Sequence, residues 1–151
     1  MTTLKPGDKA PDFKGKDQNG HDISLNDFTG NKLVIYFYPK DSTPGCTSQA
    51  CNLRDNYDYL LSKGYKVLGV SGDSEKSHQK FIEKNSLPFP LLADTEKEVI
   101  KAFGVWGPKK FMGKTYDGIH RTTFVIDENG KIEEVIGKVN TKDHTAQIIQ
   151  E

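Results

Sequence analysis

Apolar residues fall along the chain in short blocks whose spacing changes from one block to the next. Leu33 to Tyr38 (LVIYFY) is continuous, β-branched and aromatic, which predicts a central strand covered on both faces. Ahead of it, Phe13 to Ile23 predicts a hairpin turning at Gln18-Asn19-Gly20, because Asn-Gly favours tight hairpin turns. Behind it, Ala50, Leu53, Tyr57, Leu60 and Leu61 recur at helical spacing. They predict one helix from about Pro44 to Lys63 with a single apolar face, stopped by Gly64. Val67 to Val70 is a second buried strand, and Ser77 to Asn85 a short helix with Phe81 and Ile82 facing inward. Pro88 and Pro90 bracket Phe89, and Leu91-Leu92 forms a short strand. Thr95 to Phe103 is helical, with Val99, Ile100 and Phe103 on one face. Thr122 to Ile126 and Ile132 to Ile136 are strands joined at Glu128-Asn129-Gly130, and Asp143 to Gln150 is a closing helix.

The order is a hairpin, then β-α-β-α, then a second hairpin and a helix. It describes an α/β domain with helices on both faces of a mixed sheet. A thioredoxin-like sheet with an N-terminal β-hairpin extension fits. A flavodoxin-like sheet fits less well, because two hairpins imply antiparallel pairing. Repeats, low-complexity tracts and linkers are absent, so residues 1–151 are expected to form one domain. Charge changes the picture little. Lys+Arg and Asp+Glu are each 21, a formal net charge of zero, which argues against nucleic acid or an anionic membrane as main partner. No apolar run is long enough to span a bilayer. The opening MTTLKPGDKAPDF has no apolar signal core. Two cysteines in such a chain point to a reducing, cytoplasmic setting, where a cysteine pair is more often reactive than structural.

Those cysteines, Cys46 and Cys51, lie just past the first buried strand, where open α/β sheets build their sites. Thr43 suits a helix N-cap and Pro44 the first helical residue, which puts Cys46 in the first turn. The unpaired N–H groups there favour thiolate over thiol, and Gly45 lets another group approach the backbone. The competing reading is a small buried hydrophobe at a helix start. Cys51 is harder to place. Residues five apart on an intact helix are about 8 to 9 Å between Cα atoms, whereas a disulfide needs about 7 Å or less. Either Cys51 is inert packing or oxidation unwinds the first turns, which Gly45, Thr47 and Ser48 make easier. A zinc site is disfavoured, since the two sulfurs do not converge and no histidine pair shows ligand spacing.

Against 19 lysines the chain has only Arg54 and Arg121. Arg54 reads as a surface partner of Asp58 at i+4. Arg121 precedes the Thr122 strand and reaches the thiolate only if that strand neighbours Leu33–Tyr38, which the sequence leaves open. His21, His78, His120 and His144 read as surface residues, and Trp106 and Tyr116 as packing, although Phe103 to Tyr116 could line a pocket mouth.

Taken together, YFYPKDSTPGCTSQACNLRDNY resembles the active-site segment of peroxiredoxins of the bacterioferritin-comigratory (PrxQ) type. The P-x-x-x-T-x-x-C pattern falls on Pro39, Thr43 and Cys46. KPGDKAPDF, VLGVSGDSEKSHQKFIEKNSLPFPLLAD, KKFMGKTYDGIHRTTF and RTTFVIDENGKI extend the likeness over most of the chain. Ser42 and Ser48 stand where many members carry acidic or other polar residues, with no consequence for the chemistry. The resemblance implies a thioredoxin fold and reduction of hydrogen peroxide and alkyl hydroperoxides. It makes Cys46 the peroxidatic cysteine, Cys51 the resolving cysteine of an atypical two-cysteine cycle, and Arg121 the active-site arginine, with Pro39 and Thr43 completing the pocket. It further implies a thioredoxin-type dithiol as reductant, a monomer, and no metal, haem or flavin. Three rival readings fit the same residues. One is a thiol–disulfide oxidoreductase acting on proteins, which the missing C-x-x-C disfavours. The others are a non-catalytic thioredoxin-like binding module and a Cys–His hydrolase.

Overall fold

The computed structural model describes residues 2–149. The predicted hairpin forms from β1 (Lys14–Lys16) and β2 (Asp22–Ser24), with Gly20 in the left-handed region at its turn. β3 (Lys32–Phe37) leads into α1 (Pro44–Asp55), α2 (Tyr57–Ser62), β4 (Tyr65–Ser71), α3 (Glu75–Asn85), β5 (Leu91–Ala93) and α4 (Glu98–Ala102). A ribbon of β6 (Trp106–Phe111) and β7 (Lys114–Ile119) follows. The chain then runs through β8 (Thr122–Ile126), β9 (Ile132–Ile136) and α5 (His144–Ile148). The main sheet is five-stranded in the order β5-β4-β3-β8-β9, with β3, β4 and β5 parallel and β8 and β9 antiparallel to their neighbours.

The continuous apolar run works as a strand because successive side chains point to opposite faces. Leu33, Ile35 and Phe37 enter one core with α4's Val99 and Ile100 and the neighbouring Phe103 and Phe124. Val34, Tyr36 and Tyr38 enter the other, with Cys46, Ala50 and Leu53 of α1, Leu60 of α2 and Phe81 of α3. The sheet is therefore mixed and covered on both sides, as the element order predicts.

Several boundaries differ from the pattern-based expectation. The long helix expected from Pro44 to Lys63 breaks at Asn56, whose side-chain amide and backbone N–H both donate to the Asn52 carbonyl, at 2.8 and 3.2 Å. A side chain that bonds local backbone competes with helix continuation. The break turns Leu61 outward, so only part of the proposed apolar face is buried. α3 begins at Glu75, ahead of Ser77, because Ser74 caps it by accepting from the Ser77 N–H. α4 starts at Glu98, later than Thr95. Lys97 is left-handed (φ 61°) and the buried Asp94 carboxylate takes the Ile100 N–H at 2.7 Å. The final helix is shorter than expected, and Gln150 lies outside the described residues.

Two histidines expected at the surface, His78 and His144, are fully buried. His144 lies 2.7 Å from Gln147 Oε1 through Nδ1 and 2.8 Å from Thr123 Oγ1 through Nε2. The amide oxygen can only accept, so Nδ1 carries the hydrogen and Nε2 accepts from the threonine. Burial holds this imidazole below its ordinary 6.5; the Gln147 hydrogen bond opposes that and the Arg121 charge adds to it. As pH falls through about 6.5, the unfolded chain gains a proton that the folded chain refuses, so stability falls. Urea midpoints measured from about pH 7.5 down to about pH 6 are expected to decline, and His144→Gln is expected to flatten that decline. An unchanged slope in the variant would remove His144 as its source.

Candidate active site

β3 delivers the chain into a loop, Tyr38 to Thr43, at the carboxyl edge of the sheet. Ser42 takes a left-handed conformation (φ 64°) and reverses the chain, and Thr43 is extended ahead of Pro44, the first residue of α1. Cys46 is thus in the first helical turn, as predicted, and is 1% exposed. Thr43 occupies the N-cap position but makes no side-chain cap. Its hydroxyl donates instead to the Lys40 carbonyl at 3.0 Å. The first-turn amides, which have no intrahelical acceptor, are left without that cap.

Arg121 reaches the sulfur. β8 pairs antiparallel with β3, with Thr122 opposite Phe37, and this register sets the residue before Thr122 beside the end of β3. Arg121 Nη2 lies 3.2 Å from Cys46 Sγ, and Nη1 donates to Gln49 Oε1 at 2.7 Å. Gly45 leaves room for this approach: a Cβ there would sit 3.3 Å from Arg121 Nη2, a tight contact. Gln49, fully buried one turn after Cys46, is a site residue the sequence reading missed. Its i+3 spacing from the cysteine was the available signal. The guanidinium thus lies at the sulfur of a residue whose helical turn has amides without a side-chain cap, and both features favour negative charge near a helix start.

Pro39 is half-buried and lines a cavity of about 400 Å³ with Trp106, Lys109, Tyr116 and Ile119. Trp106, Lys109, Tyr116 and Ile119 come from the β6–β7 ribbon, which the hydrophobic pattern does not predict. The lining includes Pro39 but not Cys46, Thr43 or Arg121, and Tyr116, expected as packing, is 49% exposed. Lys109 donates to the Ile119 carbonyl at 2.9 Å. Burial lowers its ammonium from the ordinary value and the Arg121 charge adds to that, while Cys46 acts in the opposite direction. His120, next to Arg121, is half-buried and its Nε2 lies 3.0 Å from the Pro108 carbonyl.

Cys51 is partly buried on the same unbroken helix, and both cysteines are free thiols. Its sulfur faces α3, 3.7 Å from Asn85 Oδ1. Arg54 also turns to α3, donating to the Asn85 carbonyl at 2.8 Å, and its ion pair is with Asp55 rather than the expected Asp58. With α1 intact the two sulfurs are held on different sides of the helix.

A protein-family model described as the AhpC/TSA family matches residues 6–135, and the chain belongs to that family. It is 53% identical over 144 residues to peroxiredoxin Bcp of Escherichia coli (strain K12), which covers 95% of this chain and 92% of that protein. It is 46% identical over 148 residues to peroxiredoxin Bcp of Bacillus subtilis, covering 98% and 94%. Among solved structures, a cysteine-to-serine variant of Xanthomonas campestris peroxiredoxin Q superposes with a TM-score of 0.88 at 35% identity, covering 96% of this chain and 95% of that one. A similar variant of Xylella fastidiosa PrxQ gives 0.91 at 31%, covering 98% and 94%. The fold is therefore the thioredoxin-like fold of peroxiredoxins, and the class of activity is that of a thiol-dependent peroxidase.

Gln49→Leu removes the acceptor that holds Arg121 while leaving a side chain of similar size. It is expected to slow peroxide consumption about tenfold, roughly 1.4 kcal/mol of barrier, with little loss of thermal stability. Rapid-mixing kinetics beside a melting curve checks this. An unchanged rate would show that Arg121 holds its place without Gln49.

Proposed function

We propose that the chain reduces hydrogen peroxide and alkyl hydroperoxides by an atypical two-cysteine cycle. The observation that carries this is the 3.2 Å approach of Arg121 Nη2 to Cys46 Sγ at the start of a helix that also bears Cys51. The Cys46 thiolate attacks one peroxide oxygen in line with the O–O bond. An S–O bond forms, the O–O bond breaks, and the leaving oxygen departs as alkoxide or hydroxide and takes up a proton. Arg121 and the first-turn amides face the charge that develops. Thr43 has its hydrogen committed to Lys40, so it serves by accepting from the peroxide O–H. Pro39 walls off water on the cavity side.

Cys46 is then a sulfenic acid, two electrons above the thiol. The start of α1 unwinds, the Cys51 thiol displaces the sulfenic oxygen as water, and a disulfide forms. A thioredoxin-type dithiol returns two electrons by exchange and restores both thiols. Sulfur carries every electron, and one chain supplies both cysteines, so a cytoplasmic monomer suffices.

Stopped-flow mixing with peroxide tests the assignment. Cys46→Ser is expected to abolish consumption. Cys51→Ser is expected to complete one fast turnover and then accumulate sulfenic or over-oxidised sulfur. Near-normal turnover by Cys46→Ser would refute the site. The unwinding step has its own check in amide exchange across residues 46 to 52. Protection is expected to drop in the oxidised protein, and equal protection in both redox states would exclude rearrangement.

A further inference from the structure

The loop ahead of Cys46 is tied to a buried polar network that the cycle above does not use. Asp41, between Pro39 and Thr43, is 6% exposed. Its Oδ1 accepts from the Tyr38 hydroxyl at 2.6 Å and its Oδ2 from the Ser77 hydroxyl at 2.8 Å. The same Oδ2 lies 2.7 Å from Nδ1 of His78, which is fully buried on α3. His78 Nε2 lies 3.0 Å from the Leu92 carbonyl of β5. A carbonyl only accepts, so Nε2 carries a hydrogen. The Asp41 N–H donates to Asp73 Oδ2 at 2.8 Å, which also accepts from the Ser71 hydroxyl at 2.7 Å. Donor atoms of Asp41, Asp73 and His78 lie within 4.8 Å of one another, a spacing a metal could use. Both His78 nitrogens are already engaged inside the protein, however, so the cluster reads as a fastening rather than a metal centre.

The other end of α3 grips the other cysteine. Asn85 is its last residue, and it meets Cys51 Sγ and the Arg54 guanidinium. One helix, anchored in the core by Phe81, therefore holds both the loop before Cys46 and the segment carrying Cys51. If the proposed cycle holds, the α1 start must leave its place between the two chemical steps while α3 stays with the sheet. We propose that His78, acting through Asp41, is a positioning residue that sets how readily the Pro39–Cys46 segment is released from α3. It thereby divides the Cys46 sulfenic acid between disulfide formation with Cys51 and over-oxidation by a second peroxide. A held loop keeps the pocket formed and leaves the sulfenic acid exposed to that second molecule, which transfers one oxygen to give sulfinic acid and departs as alcohol or water. A released loop brings in Cys51.

The test compares wild type with His78→Leu, His78→Asn and the milder Ser77→Ala. Amide exchange at residues 43 to 48 in the reduced protein needs no peroxide, so it tests the fastening even if the peroxidase cycle is wrong. His78→Leu is expected to speed that exchange about tenfold, the effect of losing one net hydrogen bond. Ser77→Ala should speed it less, and His78→Asn, which can still donate to Asp41, should restore much of the protection. Under repeated peroxide challenge with a dithiol present, the sulfinic fraction per turnover, read by mass spectrometry, is expected to fall about fivefold in His78→Leu. A variant that only loosens the fold would lower the melting temperature without changing that fraction. Should His78→Leu fail to fold, Ser77→Ala carries both readouts, with smaller changes in the same directions. Unchanged exchange at 43 to 48 overturns the fastening. Faster exchange with an unchanged sulfinic fraction overturns its control of the partition.

Discussion

The contact between Arg121 and the Cys46 sulfur depends on one pairing register. β8 runs antiparallel to β3 with Thr122 opposite Phe37, and a slip of one residue would turn Arg121 to the other face of the sheet. The register is well specified because β3 and β8 are buried on both faces. Phe124 belongs with Ile35 and Phe37 in one core, and Val125 with Val34 and Tyr36 in the other. The two cores thus fix, at a distance, where a cation stands relative to a thiol. Gly45 and Gln49 complete the placement, one by leaving room beside the guanidinium and the other by accepting from its second nitrogen.

Local chemistry was legible in the sequence where it is written in consecutive residues. Thr43-Pro44-Gly45 announces a helix start, LVIYFY a buried strand, and Asn19-Gly20 and Asn129-Gly130 two turns; each lies where the pattern puts it. The side of the sheet on which Arg121 lands was not legible, because strand order is a property of the packed sheet. The β6–β7 ribbon escaped for a different reason. It lies outside the main sheet, carries Pro108 in its first strand, and is buried only at its base, at Gly107 and Ile119, with Phe111 and Met112 65% and 86% exposed, so no continuous buried face imposes alternation. The buried histidines escaped because polar residues read as surface until their partners are known. Asp41 and Leu92 are 37 and 14 residues from His78. Gln49 lay hidden in plain helical spacing.

The start of α1 faces opposing demands. On the proposed cycle, pre-organisation for attack on peroxide favours a rigid first turn, whereas a disulfide between residues five apart requires that turn to come apart. The sequence weakens this turn where it can. Glycine at the second helical position costs about 1 kcal/mol relative to alanine, and the missing side-chain cap at Thr43 forgoes about 1 kcal/mol more. Together these are about 2 kcal/mol, which raises the population of an opened first turn roughly thirtyfold over a well-capped alanine equivalent. Opposing this, Cys46 is packed in the core with Tyr36, Ala50 and Leu53, and Arg121 is drawn to its sulfur. On the proposed cycle, oxidation to the sulfenic acid would remove the charge that Arg121 faces, and with it part of what keeps the turn closed. On that cycle the chemical step weakens one contact that holds the turn closed, which gives the opening a direction in time, while the Asp41–His78 network sets how readily it follows.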